Sequence, residues 1–201
     1  MNSVATNPSL EEGRPLHPEL DNIQRQLYLV NTSVEVLVKS LDDAQMNWTP
    51  APGRWSIAQC LEHLTLSNQA FRKVMEAAIE QARMEHCYSS GPYRYGWLGE
   101  RFVKSLEPGA GFKARNPKPV TPGAQLVGEK VAKEFFEENR TLVALIARAN
   151  GLDLGRVRVT SPFLKLFTIS LGQSFRLLAA HERRHLEQAR AVRASRGFPV
   201  G

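Results

Sequence analysis

With 201 residues and 42% of them hydrophobic, the chain has the size of one domain and enough apolar mass to bury a core, which excludes an intrinsically disordered polymer. No apolar run approaches the roughly 18 residues that span a bilayer, and the N-terminus lacks the basic and apolar regions of a secretory leader, so a cytoplasmic, non-membrane protein is expected. The net charge of +6 is uneven: residues 1–150 carry 17 Lys/Arg against 17 Asp/Glu, whereas residues 151–201 carry nine Lys/Arg against Asp153, Glu182 and Glu187. Such a basic last quarter is either a solvated helix face or an attractor for nucleic acid or an anionic small molecule. Cys60 and Cys87 would lie roughly 40 Å apart on one continuous helix, so no bond between them is expected and a reducing compartment fits.

Residues 1–18, polar and rich in turn-formers, read as a flexible tail, followed by one domain over 19–201. A first helix is predicted from Glu19 to Leu41, because Leu20, Ile23, Leu27, Val30, Val34, Leu37 and Leu41 form one stripe at alternating 3-4 spacing. Asp42–Asp43 and the Pro50–Gly53 stretch are expected to end it. Ser56-Ile-Ala-Gln59 has the pattern of a capping box, with Trp55 and Cys60 placed as its hydrophobic staple, and opens a second helix reaching about His86. The stretch from Tyr88 to Pro122 holds nine Gly and Pro residues. It reads as a long connection, with one short helix near Trp97–Leu106. A third helix is predicted over Gly123–Ala149, stopped by Asn150-Gly151. Residues 152–168 form a second connection, in which Val157–Val159 is too short to require a sheet. Ser170-Leu-Gly-Gln173 caps a fourth helix running to about Arg196. The fold class is all-α, a four-helix bundle with a long crossover between its second and third helices.

The fourth helix contains the chemical signal. Leu171, Phe175 and Leu178 define its apolar stripe, which resumes at Ala189 and Val192, and the slots between are His181 and His185. A buried polar group without a partner costs about 1–3 kcal/mol, so imidazoles in leucine positions call for a reason. Their i, i+4 spacing puts both rings on one face, able to share a metal ion. His63, two turns into the second helix, offers a third imidazole. Three neutral imidazoles make an open site for zinc, compatible with nickel or iron. Cys60, three residues before His63, reads either as a staple residue or as a thiolate fourth ligand. His17 and His86 read as surface residues. His181-Glu-Arg-Arg-His185 also satisfies H-E-x-x-H, but the 16 residues beyond His185 hold no histidine to complete a protease site. Glu182 with His185 matches half of a di-iron carboxylate motif whose second half the chain lacks.

Two segments, Arg54-Trp-Ser-Ile-Ala-Gln-Cys-Leu-Glu-His63-Leu and Leu178-Ala-Ala-His-Glu-Arg-Arg-His185-Leu-Glu-Gln188, together with Asn116-Pro-Lys-Pro-Val-Thr-Pro122, resemble the signatures of the DinB/YfiT-like superfamily over roughly Leu20 to Arg196. The resemblance implies an up-down-down-up bundle and a divalent ion held by His63, His181 and His185. It also implies a homodimer, for which Tyr93, Tyr95 and Trp97 are candidate exposed aromatics. Relatives include thiol-dependent S-transferases, a thiol-dependent isomerase and hydrolases. Cys60 stands where an aliphatic residue is expected. The leading expectation is therefore an enzyme whose metal activates a low-molecular-weight thiol to attack a small-molecule electrophile. Glu182 and Gln188 are candidates for orienting the metal-binding rings, and Arg183 and Arg184 for receiving an anionic thiol. A second expectation keeps the metal and uses bound hydroxide for hydrolysis. A third is a non-enzymatic, metal-stabilised dimer with a basic surface for nucleic acid, which no recognition-helix or zinc-finger motif supports.

Overall fold

Helix starts are set locally, by side chains that satisfy the N–H groups a first turn leaves open. In the computed structural model, which describes residues 15–110, 117–164 and 166–199, Ser56 Oγ accepts from Gln59 N at 3.1 Å while Gln59 Oε1 accepts from Ser56 N at 3.0 Å. Ser170 and Gln173 repeat this reciprocal pair at 3.3 and 3.2 Å. Asp42 and Gln45 form a third box, at 2.7 and 3.0 Å, and start a short helix where the sequence suggested only a helix end. In chain order the elements are α1 (Pro18–Val38), α2 (Asp43–Asn47), α3 (Ile57–Met84), α4 (Trp97–Ser105), a 3-10 turn at Lys118–Val120, α5 (Gly128–Arg148), β1 (Arg158–Thr160), β2 (Thr168–Ser170) and α6 (Leu171–Arg193).

The boundaries differ from expectation where tertiary contacts compete with propensity. Residues 15–18 do not fray: His17 N donates to Asn150 Oδ1, Asn150 Nδ2 donates to Pro15 O, and Leu16 packs on the core. Half-buried His17 also caps α1, its Nδ1 accepting from Glu19 N. The remainder of the expected tail, residues 1–14, lies outside the described residues, as does Asn116. The third bundle helix begins at Gly128 rather than Gly123, because residues before it are held by other elements. Gly123 N donates to Glu62 Oε2, Leu126 N to Asn47 Oδ1 and Gly128 N to Asp43 Oδ1. Residues near Val157–Val159 do pair, as the short antiparallel ribbon β1–β2 with Val159 opposite Ile169. Tyr93 and Tyr95 are half-buried rather than exposed, with Tyr95 Oη donating to Glu19 Oε1 at 2.7 Å, while Trp97 is 75% exposed.

The bundle consists of α1, α3, α5 and α6. Its long crossover follows from direction. Gln59 Nε2, in the first turn of α3, donates to Gly123 O in the segment that leads into α5, and Arg83, near the end of α3, donates to Arg148 O at the end of α5. These two helices therefore run the same way, and the chain must return along the bundle between them. The core falls into two apolar clusters, one around Phe71, Leu142 and Phe175 and one around Ile57, Leu64 and Phe135. Each such side chain contributes roughly 1.5–3 kcal/mol on burial. Among the described residues no helix is long and apolar enough to cross a membrane.

Candidate metal centre

His63, on α3, and His181 and His185, one turn apart on α6, each present a ring nitrogen within 4.8 Å of the other two. Their ring centroids are 4.6 to 5.1 Å apart. The other ring nitrogens explain the orientation. His63 Nδ1 lies 2.7 Å from Val120 O, at the end of the 3-10 turn. A carbonyl only accepts, so Nδ1 carries the proton and the Nε2 lone pair faces inward. His185 Nδ1 lies 3.1 Å from Gln188 Oε1, and donating to that oxygen leaves the lone pair on its Nε2. Gln188, one turn beyond His185, thus meets the outer nitrogen of that ring.

The Nε2 atoms of His63 and His181 stand 3.2 Å apart. Either one ring donates a proton to the other, or both lone pairs face a common cation. Two nitrogens bound tetrahedrally at about 2.0–2.1 Å from zinc are roughly 3.3 Å apart, so the spacing and the donor set fit a divalent ion. Electrostatics agree. Burial lowers the pKa of His63, against the opposing bond to Val120. Burial, then the neighbouring His185, His63 and Arg184, hold His181 well below the usual imidazole range. Burial, His63 and Arg184 bring His185 down to about 3. All three are neutral near pH 7, the form that ligates.

Trp55, the residue before the Ser56 cap, closes one side. Its ring is stacked on His185 at 5.6 Å and tilted against His63 at 4.7 Å. The other side opens on a pocket of about 760 Å³ lined by Arg54, Trp55, Leu106, His181, Arg184 and His185, among others. Leu106 arrives from the end of α4, which Arg184 secures by donating to Ser105 O. The pocket's carboxylate, Glu187, accepts from Arg190.

Three expected participants, Cys60, Glu182 and Arg183, lie elsewhere. Cys60 is fully buried in the apolar cluster of Ile57, Leu61 and Leu64 and is not among the converging donors. Glu182 does not orient a histidine. Its Oε1 accepts from Asn68 Nδ2 at 2.7 Å and its Oε2 from Asn139 Nδ2 at 3.2 Å, inside the bundle. One residue along a helix is a rotation of about 100°, which carries Glu182 away from the face that His181 shares with His185. An H-E-x-x-H base directed at the metal is excluded by that placement. Arg183 reaches Gln26 and Glu107 rather than the pocket, whereas Arg184 lines it. Neither Val120 O nor the stacking of Trp55 follows from the local sequence, because both depend on where a distant segment docks. Asn68 and Asn139, like the histidines, are polar residues in apolar slots, a signal the sequence itself carries.

The sequence pattern of the DinB superfamily matches residues 26–189. No curated protein matches the chain. Among solved structures the chain is similar to YfiT from Bacillus subtilis, described as a probable metal-dependent hydrolase with an unusual four-helix bundle topology. The identity is 14% and the TM-score 0.54, over 99% of this chain and 94% of that one.

Proposed function

Because the chain belongs to the DinB superfamily, we propose that it is a metal-dependent enzyme that activates a small-molecule thiol for transfer to an electrophile. The observation that carries this is the convergence of three neutral imidazoles, His63, His181 and His185, the last two of which line an open pocket. Zinc, nickel or iron held there supplies a Lewis-acid position that lowers the pKa of what it binds. The protein's own contribution is orientation and exclusion. Val120 O and Gln188 fix two rings, and Trp55 covers two of them from one side. Arg54 and Arg184 make the pocket electropositive, which supports an anionic thiol as co-substrate.

Hydrolysis, as described for YfiT, is the second reading. Water is a weaker acid than a thiol and gains more from a general base. Among the described residues the pocket's carboxylate is Glu187, already paired with Arg190, so the geometry favours the thiol. Metal-loaded protein given an activated electrophile is expected to turn over only with added thiol. Equal turnover without thiol would overturn this reading in favour of hydrolysis. Arg176, Arg183 and Arg190 pair with Glu100, Glu107 and Glu187, which supports a small molecule over nucleic acid as partner. The same reading includes a homodimer in a reducing cytoplasm, consistent with the free thiols of Cys60 and Cys87. Light scattering at micromolar concentration should give twice the chain mass, and a monomer mass would remove the dimer.

A further inference from the structure

The two apolar clusters of the bundle are separated by a polar layer to which each bundle helix contributes one residue: Asn31 from α1, Asn68 from α3, Asn139 from α5 and Glu182 from α6. On α3, α5 and α6 the layer falls where one cluster gives way to the other, between Leu64 and Phe71, between Phe135 and Leu142 and between Ala180 and Leu186, and on α1 Asn31 follows Val30, the first residue past that change. Asn68, Asn139 and Glu182 are fully buried. Asn139 Nδ2 donates to Asn31 Oδ1 at 2.8 Å and to Glu182 Oε2 at 3.2 Å. Asn68 Nδ2 donates to Glu182 Oε1 at 2.7 Å and to Asn139 Oδ1 at 3.2 Å.

Such a layer is a poor source of stability. Among the described residues the Asn68 Oδ1 atom has no partner, and the Glu182 carboxylate is met by neutral amides. Apolar side chains of similar volume would pack there at least as favourably. What hydrogen bonds add is direction. Leucines slide and rotate past one another with small changes in energy, whereas a carboxylate held at both oxygens from two different helices has one setting. Glu182 adjoins His181 and precedes His185 by three residues, so its setting is also theirs. Asn68 is five residues beyond His63 on α3. A shift of α6 by one residue moves it about 1.5 Å and turns it about 100°, well beyond the roughly 0.5 Å within which a site must be held.

We propose that the Asn31–Asn68–Asn139–Glu182 layer positions the metal centre, locking the rotation and height of α6 against α3 so that His181 and His185 meet His63. These are positioning residues. The inference rests on the three histidines being a metal site, and the test separates the two. Asn139 is the informative position because α5 carries none of the histidines, so its removal reaches the centre through Glu182.

Metal-free wild type and Asn139→Ala are titrated with cobalt(II) against a competing chelator, at a temperature where circular dichroism shows both folded. Asn139→Ala is expected to bind cobalt about tenfold more weakly or worse, with an altered visible spectrum. Leu20→Ala, a cavity remote from the layer, is expected to lower the thermal midpoint without changing cobalt affinity. If Asn139→Ala does not fold, near-isosteric Glu182→Gln is measured in its place. Its amide nitrogen would face an amide donor, and the same direction of loss is expected. Cobalt affinity within twofold of wild type in the variant measured overturns the positioning role and leaves the metal site standing. A wild type that binds no cobalt overturns both.

Discussion

One turn of helix separates Cys60 from His63, yet the two side chains do different work. Burial pushes the Cys60 thiol up to about 12, so it stays protonated among aliphatic neighbours and is a poor ligand. Cys60→Val should retain its metal and lose no more than about 1.5 kcal/mol of stability, as near-isosteric core exchanges do. Dialysis against a moderate chelator, variant beside wild type, checks this, and loss of the ion from the variant alone would put the sulfur on the metal. The histidines make a second prediction. Folded His185 takes a proton at about 3, but the unfolded residue does so at about 6.5. Between those values the unfolded chain binds more protons, so this group favours folding above about pH 6.5 and loses that contribution as pH falls toward 3. Glu182 acts in the opposite sense, because burial raises it to about 7 from an ordinary 4.5. Its contribution is full below 4.5 and is lost as pH rises through 7. The metal-free His181→Ala/His185→Ala variant keeps the Glu182 effect and lacks most of the histidine one. Its urea midpoint should therefore fall less than that of metal-free wild type between pH 7 and pH 5. Equal falls would show that the rings are not held neutral by the fold.

At the scale of elements, the crossover is more than a return path, since α4 is seated on α6 by close approaches at glycine. A Cβ on Gly99 would come within 2.4 Å of Gln173 Oε1. That side chain cannot step aside cheaply: it is buried, completes the α6 capping box and donates to Gly96 O. Gly99→Ala should cost about 1–3 kcal/mol, whereas Gly96→Ala, with open space around its Cβ position, should stay within about 0.5 kcal/mol. Denaturant unfolding of both distinguishes them, and equal stabilities would mean that α4 is only loosely seated. The same contrast between local and distant causes explains which elements were legible in the sequence. Ser56–Gln59 and Ser170–Gln173 are complete within four residues, and both boxes form as read. Asp42–Gln45 is as local, but the Asp pair before a Pro-Gly stretch reads equally as a stop. The late start of α5 depends on Glu62, Asn47 and Asp43, side chains far away in sequence. The centre divides likewise: histidines in leucine slots are visible in α6 alone, while Val120 O requires the docked 3-10 turn.

For the molecule as a whole, the three histidines join α3 to α6, helices that otherwise meet through apolar packing and the Asn68–Glu182 hydrogen bond. His63 belongs to α3 and the other two rings to α6, so a cation shared by all three binds only a chain in which those helices are docked. Any such ligand stabilises the folded state, by about 2.7 kcal/mol when its free concentration is a hundredfold above its Kd. A domain of 150–250 residues gains about 2–4 °C in midpoint per kcal/mol, so zinc at that excess should raise the midpoint of the metal-free protein by roughly 5–10 °C. Unfolded chains also bind zinc through Cys and His, which subtracts from the gain. The His181→Ala/His185→Ala variant calibrates that loss, because it keeps Cys60 and Cys87 and removes two of the converging donors. Calorimetry of both proteins with zinc and with chelator is the measurement. Wild type should shift upward and the variant should stay level or move down. Equal shifts in the two would mean that zinc acts elsewhere, and the three histidines would then be a buried polar cluster rather than a metal site.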